Sequence, residues 1–181
     1  MNTIKRLFDF PYYQLKNSPL EKALVTKVNG KWEALSTQEY IDQSNQLSRA
    51  LLRMGIEPND KVAVISSNNR TEWNICDIGI MQIGAQNVPI YPTISEKEFA
   101  YVLNHSESKY CFISDKEVYD KVMSIFDEVP SLKAVYTFNE VKGAKNWKEV
   151  LKKGEDESNQ EEVEARKDAI TENDQATLIY T

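Results

Sequence analysis

The sequence is poor in the residue types that build several common catalytic and metal sites. Its 181 residues include one histidine, His105, and two cysteines, Cys76 and Cys111. Because the cysteines form no Cys-x-x-Cys pair, they and the histidine cannot surround a zinc ion by themselves. Both cysteines lie in apolar stretches, NICDIGI and KYCFIS, which is typical of small buried side chains. A magnesium ion held by carboxylates stays open, but we assign no metal ligand in this chain.

Glycines are also few, and their spacing excludes the usual phosphate-binding loops. They occupy positions 30, 55, 79, 84, 143 and 154, so neither Gly-x-Gly-x-x-Gly nor Gly-x-x-x-x-Gly-Lys-Ser/Thr occurs. Gly-x-Ser-x-Gly is absent as well, and His105 falls where a helix should end, which favours a C-terminal cap over catalysis. Asp77 lies within an apolar helix and is predicted to contact a neighbouring loop. The residues alone indicate no catalytic group in this chain.

The sequence also lacks an excess of basic residues. The formal net charge is -6 and the pI is about 5.0. Nucleic acids attract clustered Lys and Arg, so this balance argues against a nucleic-acid partner. No apolar run approaches the roughly 20 residues that cross a bilayer. The N-terminal stretch interleaves charged with aromatic residues, unlike a signal peptide. The composition therefore predicts a cytoplasmic protein.

Residues 1–35 are predicted to form a helix followed by a β-hairpin. The helix is indicated by apolar residues at irregular helical spacing, with Pro11 kinking it or starting a second turn: Ile4, Leu7, Phe8 and Leu15. The hairpin spans 23–35, because two apolar runs flank Asn29-Gly30, a pair that tolerates positive φ at both positions.

Residues 36–140 alternate between short apolar strands and helices. Helix starts are predicted where Ser or Asn stands three positions before Glu: Ser36–Glu39, Asn69–Glu72, Ser95–Glu98 and Ser114–Glu117. The strands are KVAVISS, QNVPIY, KYCFIS and LKAVYTF. This alternation predicts an α/β fold, with a doubly wound, mostly parallel sheet and flanking helices in addition to the hairpin. Pro89 and Pro92 are predicted to shape the exit from the second strand, with Tyr91 as an alternative substrate wall.

The remaining residues divide into two segments. Residues 141–175 are predicted to be a charged surface excursion, in which Trp147, Val150 and Leu151 indicate one short docked helix and an acidic stretch indicates a second, exposed helix. Residues 176–181 contain TLIYT, whose β-branched and aromatic residues predict a buried strand. Because ligands bind beyond the carboxyl ends of strands in α/β folds, we expect chemistry directly after it and therefore a truncated chain.

Three stretches, taken in order, resemble the adenylate-forming acyl-CoA synthetases, especially the long-chain fatty acid branch. They are STQEYIDQSNQLSRALLRMGI, residues 36–56; PNDKVAVISSNNRTEWNICDIGIMQIGAQNVPIYPTISEKEFAYVLNHSESKYCFI, residues 58–113; and DQATLIYT, residues 174–181. The last is similar to the strand before the family's Thr-Ser-Gly-Thr-Thr-Gly phosphate loop. The resemblance implies that residues 1–181 are the N-terminal part of an AMP-binding domain, and that residues 176–181 lead into this missing loop.

The resemblance also implies a reaction for the parent protein. A fatty carboxylate and ATP would give an acyl-adenylate and pyrophosphate, and coenzyme A would then form the thioester. Thr181 would be the first residue of the phosphate loop, whereas the catalytic and magnesium-binding residues would follow it. ATP, Mg2+ and coenzyme A are therefore expected as cofactors of the parent and not of this chain, which we expect to be inactive and to self-associate through exposed apolar surface. Peripheral membrane association of the parent is left open.

Two alternatives remain at this point. One is another adenylate-forming enzyme, which activates an aryl or amino acid. The other is a non-enzymatic Rossmann-like binding or interaction domain. A Ser/Thr/Gly-rich loop encoded directly after Thr181 would favour the enzymes, and a stop codon there would favour the binding domain.

Overall fold

Seven strands and seven α-helices make up the part of the chain that the computed structural model describes, residues 4–28 and 30–181. In chain order they are α1 (Asp9–Asn17), β1 (Leu24–Val28), β2 (Lys31–Leu35), α2 (Thr37–Arg53), β3 (Lys61–Ile65), α3 (Thr71–Met81), β4 (Gln86–Ile90), α4 (Glu96–Ser106), β5 (Tyr110–Ile113), α5 (Lys116–Ser124), β6 (Ala134–Thr137), β7 (Lys145–Asn146), α6 (Trp147–Lys153) and α7 (Gln160–Ala169).

The centre of the fold is a parallel sheet in the order β4-β3-β5-β6-β7. Helices cover both faces, and the strands alternate between them: Val62 and Val64 of β3 pack with α2, α3 and α6, whereas Ala63 and Ile65 pack with α4 and α5. Burial on both faces explains why the strand sequences are apolar without strict alternation. The predicted α/β class, with its doubly wound parallel sheet, is confirmed.

The hairpin is confirmed as well. Strands β1 and β2 pair antiparallel, with Leu24 opposite Leu35 and Val28 opposite Lys31. Gly30 has a φ of +81°, the left-handed conformation that glycine adopts without strain. Asn29, the other residue of the predicted turn, lies outside the described residues. The preceding helix is shorter than predicted, because it begins at Asp9, so that Ile4 and Leu7 precede it.

Two of the four predicted capping boxes are present. The Ser36 and Ser95 side chains each accept a hydrogen bond from the backbone N–H three residues later. In return, the Glu39 and Glu98 side chains accept from the backbone N–H of the serine. The other two are wrong. Helix α3 begins after Arg70, and its first N–H, that of Thr71, donates instead to Thr26 Oγ1 of the hairpin at 2.9 Å.

Helix α5 begins one residue later than predicted. Asp115 is its N-cap and accepts from the Val118 N–H at 3.2 Å, while Ser114 Oγ donates to the Asp115 carboxylate at 2.6 Å. A carboxylate accepts more strongly than a hydroxyl, so the neighbouring acid becomes the cap and the serine supports it.

Part of the segment 141–175 lies inside the protein. Asn146 belongs to β7, which extends the sheet beside β6, and it caps α6 through a reciprocal pair of bonds with Glu149. Trp147 and Val150 are buried in the same core as α2. The two helices predicted here are present, but the first supplies core side chains and only the second is largely exposed.

Both cysteines are buried and unbridged. Throughout residues 4–28 and 30–181, no helix combines the length and the apolar character needed to cross a bilayer. The same ranges contain no cluster of three or more His, Cys, Asp or Glu side chains placed to hold a metal ion.

Candidate functional site

The carboxyl ends of the parallel strands lie along one edge of the sheet, and the end of the chain arrives at this edge beside β4. Thr177 forms a parallel bridge with Asn87. The Asn87 N–H donates to the Ala176 carbonyl at 3.3 Å, the Leu178 N–H donates to the Asn87 carbonyl at 3.0 Å, and Thr177 Oγ1 donates to that same carbonyl at 2.8 Å. Thr181 is therefore directed toward the edge where ligands bind in this class of fold.

The predicted strand 176–181 does not continue as a regular strand beyond this bridge. In a parallel ladder every second residue directs its main-chain N–H and C=O at the same neighbouring strand. After Asn87, the next residue of β4 that faces the C-terminal segment in this way is Pro89. Proline has no N–H to donate to the Leu178 carbonyl. The ladder consequently stops after Leu178.

A shallow groove of about 250 Å3 lies next to Thr181. Tyr91, which directly follows β4, and Tyr101 of α4 form part of its wall, with 72% and 62% of their surfaces exposed. Strand β4 ends at Ile90, so Pro92 follows it whereas Pro89 lies within it. The proposed roles of Tyr91 as a substrate wall and of Thr181 in a phosphate loop stay predictions.

His105 does not cap α4. Its Nδ1 atom lies 2.8 Å from the Tyr180 hydroxyl, and Glu107, in the left-handed conformation, ends the helix. Tyr101 stacks on the imidazole at 5.6 Å, and the Tyr180 ring meets it edge-on at 5.6 Å. The imidazole turns toward these aromatic rings instead of the last helix carbonyls, so the only histidine of the chain links α4 to the C-terminal segment.

Asp77 was predicted to contact a loop, but it contacts strand β4 instead. Its Oδ1 atom accepts from Asn87 Nδ2 at 2.8 Å. The Asn87 side chain is fully buried, and its Oδ1 atom has no hydrogen-bond partner among the described residues. Burial raises the pKa of the Asp77 carboxyl, and the bond from Asn87 only partly opposes this. A carboxylate is thus held beside the C-terminal segment in a setting that disfavours its charge.

We expect Asp77→Asn to stabilise the chain at pH 7. A raised folded-state pKa means that the charge destabilises the folded protein above that pKa, so the contribution of Asp77 to wild-type stability is larger at low pH and falls as pH rises through it. Thermal unfolding at pH 7 should show a Tm increase of about 2–4 °C, the effect of about 1 kcal/mol in a chain of this size. The difference should disappear at about pH 3, where the carboxyl is protonated in both states.

Asp127→Asn, at an exposed position, is the matched control and should leave Tm unchanged at both pH values. A lower Tm for Asp77→Asn at pH 7, or a gain that persists at about pH 3, would contradict the burial argument.

Polar side chains also meet where the strand order reverses, at the carboxyl ends of β3 and β5. Ser67 Oγ donates to the Asp115 carboxylate at 2.8 Å, and the Ser67 N–H donates to Ser114 Oγ at 3.0 Å. Arg70 pairs with Glu72 at 2.6 Å and donates to Asn139 Oδ1 at 3.1 Å. These groups bond one another, so the arginine is neutralised and does not form a free anion clamp.

The described residues therefore do not fit a triphosphate by themselves. Such a group needs convergent backbone N–H donors and positive charge. At the sheet edge the chain offers the Thr181 hydroxyl, while Arg70 is already paired. Sequence reasoning singled out Thr181, whose role stays a prediction. It missed the Ser67–Asp115 and His105–Tyr180 contacts, because these join residues 48 and 75 positions apart.

Comparison with protein families matches residues 12–181 to the AMP-binding enzymes. The chain belongs to this family. Among curated proteins, the chain is 30% identical over 155 residues to long-chain-fatty-acid–CoA ligase FadD15 of Mycobacterium bovis, covering 85% of the chain and 25% of the ligase. It is 26% identical over 166 residues to long-chain-fatty-acid–CoA ligase ACSBG2 of Xenopus laevis, covering 88% of the chain and 22% of that protein. The chain thus spans about a quarter of the length of these relatives.

Solved structures show the same fold. A long-chain-fatty-acid–CoA ligase (FadD1) from Archaeoglobus fulgidus superposes with a TM-score of 0.74 at 18% identity, covering 100% of this chain and 35% of the ligase. The anthranilate CoA ligase AuaEII, in complex with anthranoyl-AMP, gives 0.70 at 19% identity, covering 80% and 26%. At these identities the likeness establishes the fold alone and leaves the substrate open.

Proposed function

We propose that this chain is the N-terminal part of a long-chain fatty acid–CoA ligase. The observation that carries the proposal is the family match over residues 12–181 together with 30% identity to a long-chain ligase. The whole protein would convert a fatty carboxylate and ATP to an acyl-adenylate and pyrophosphate, and then transfer the acyl group to coenzyme A. Magnesium would offset the phosphate charge during the first step.

In this proposal the described residues form a scaffold that delivers Thr181 to the edge of the sheet. The bridge at Asn87 fixes where the C-terminal segment runs, and β4 and α4 supply the neighbouring groove. The donors that hold the phosphates belong to residues after Thr181. This division of roles agrees with the internal pairing of Arg70, which leaves that side chain engaged with Glu72 and Asn139.

We expect the 181-residue chain alone to bind ATP and Mg2+ more weakly than micromolar. A hydrogen bond to a charged group contributes about 1.5–3 kcal/mol, whereas micromolar affinity requires about 8 kcal/mol. The hydrogen bond that the Thr181 hydroxyl could form falls well short of the free energy needed for micromolar binding. Isothermal titration of the chain and of the product of the complete reading frame, under the same conditions, makes the comparison direct.

The same pair of proteins separates the alternatives. Micromolar ATP binding by the 181-residue chain would contradict the assignment of the phosphate site to later residues. If the complete product forms adenylates with aryl or amino acids but not with long-chain fatty acids, the substrate assignment is wrong. If the complete product binds no ATP at all, the binding-domain alternative replaces the enzyme.

A further inference from the structure

The C-terminal segment, residues 176–181, is attached to the sheet over only part of its length. Its main-chain bonds to β4 involve Ala176 and Leu178, both with Asn87. Pro89 has no N–H to donate as the next bond of the ladder. Strand β4 therefore does not hold Ile179, Tyr180 and Thr181 through ladder hydrogen bonds. Without another attachment, the last residues of the segment would fray.

A different element supplies that attachment. The Tyr180 hydroxyl reaches across to His105 of α4, 2.8 Å from Nδ1. Tyr101, one turn earlier on α4, stacks on the imidazole with an interplanar angle of 25°, and the Tyr180 ring stands nearly perpendicular to it at 89°. Stacking restricts the rotation of the imidazole, so its nitrogen stays aimed at the hydroxyl.

The side chains of Leu178 and Tyr180 point to the same side of the segment, where both pack against the core under α4 and α5. Ile179 points the other way and is 61% exposed. The orientation of the segment is therefore set by the face that carries Tyr180, and Thr181 follows one peptide bond after the residue that His105 holds.

We propose that His105 is a positioning residue, which fixes Thr181 through its hydrogen bond to Tyr180 where Pro89 interrupts the ladder. The positioning role rests on the proposed function, in which Thr181 opens the phosphate loop. The hydrogen bond itself, the His105–Tyr180 latch, is a property of this chain and can be measured without ATP.

The first test uses amide hydrogen exchange at Leu178 and Asn87 in the 181-residue chain, because these two N–H groups bond across the edge. Tyr180→Phe removes the hydroxyl and keeps the ring, and His105→Leu removes the imidazole nitrogen that bonds it. Each should raise the exchange rates about fivefold, the effect of losing one hydrogen bond.

A double variant distinguishes a direct bond from two separate effects. Because either change alone already breaks the latch, the double variant should exchange no more than about fivefold faster than wild type, whereas independent effects would multiply to about 25-fold. Tyr101→Phe is the matched control, since its hydroxyl makes no hydrogen bond within the described residues, and it should exchange like wild type. Unchanged rates in Tyr180→Phe, or multiplying rates in the double variant, would overturn the latch.

The second test concerns the positioning role and uses the product of the complete reading frame. Tyr180→Phe and His105→Leu should raise the KM for ATP about fivefold and leave the KM for the fatty acid unchanged. A change that only reduced the amount of folded enzyme would lower the apparent kcat without moving either KM. Faster exchange with an unchanged KM for ATP would overturn the positioning role. An absence of ATP binding in the wild-type product would overturn the proposed function, and the latch would then be judged by exchange alone.

Discussion

Gly154→Ala should destabilise the chain by about 3 kcal/mol or more. A Cβ atom at this position would lie 1.8 Å from the Gln46 carbonyl oxygen and 3.2 Å from the Ala50 nitrogen, both in the backbone of α2. Backbone cannot rotate away as a side chain can, so α2 and the turn after α6 would have to separate. That movement would also break the 2.8 Å bond from Arg49 Nε to the Gly154 carbonyl. Urea unfolding followed by circular dichroism measures the loss.

Gly143→Ala provides the contrast. Its φ is +84°, and no atom lies within 4 Å of the position that a Cβ would take there, so alanine meets conformational strain but no neighbour. We expect this variant to lose only about 1 kcal/mol. Gly154 has a φ of -98°, so alanine meets no left-handed strain there. A loss for Gly154→Ala no larger than that of Gly143→Ala would therefore contradict the clash with α2.

The second large effect is expected for Phe112→Ala, with a loss of about 3–5 kcal/mol. Phe112 lies in β5 at the centre of the sheet and is fully buried. Its ring stacks with those of Tyr136, at a centroid distance of 5.7 Å, and Phe138, at 6.3 Å. Truncation would leave a cavity that the surrounding sheet cannot close.

Phe112→Leu, which refills most of that cavity, should lose about 1–2 kcal/mol by the same unfolding measurement. The free energy of unfolding should increase in the order alanine variant, leucine variant, wild type, because the packed side-chain volume at position 112 increases in that order. Equal losses for the two variants would indicate that the stacked ring geometry, and not the cavity, sets the cost.

The sequence predicted those features that depend on neighbouring residues. The capping boxes at Ser36 and Ser95 need only the residue three positions later, and both are present. The same local pattern gives a wrong prediction at Asn69, because the first N–H of α3 is satisfied by Thr26, 45 residues earlier in the chain. A third box, Asn146 with Glu149, carries the same local signal but lies in a segment whose charge favours a surface interpretation.

The candidate site was less predictable for a related reason. Thr181 was placed by resemblance, and the structure puts the end of the chain at the expected edge. Which strand lies beside it is a question of topology, because Asn87 and Thr177 are 90 positions apart in the chain. The position of His105 at a helix end predicts a cap, whereas its partner Tyr180 comes from the far end of the chain.

Pro89, whose main chain faces the outer edge of β4, also has a consequence for the nascent chain. The outer edge of β4 gains its partner only when Thr177 appears, 90 residues after Asn87. At synthesis rates of about 5–20 residues per second, that edge stays uncovered for roughly 5–18 s. An unpaired strand edge can recruit strands from other chains and start aggregation. Because Pro89 has no N–H near the carboxyl end of this edge, a foreign strand could form only a broken ladder there. We therefore expect the residue that limits the final pairing also to protect this strand on the ribosome.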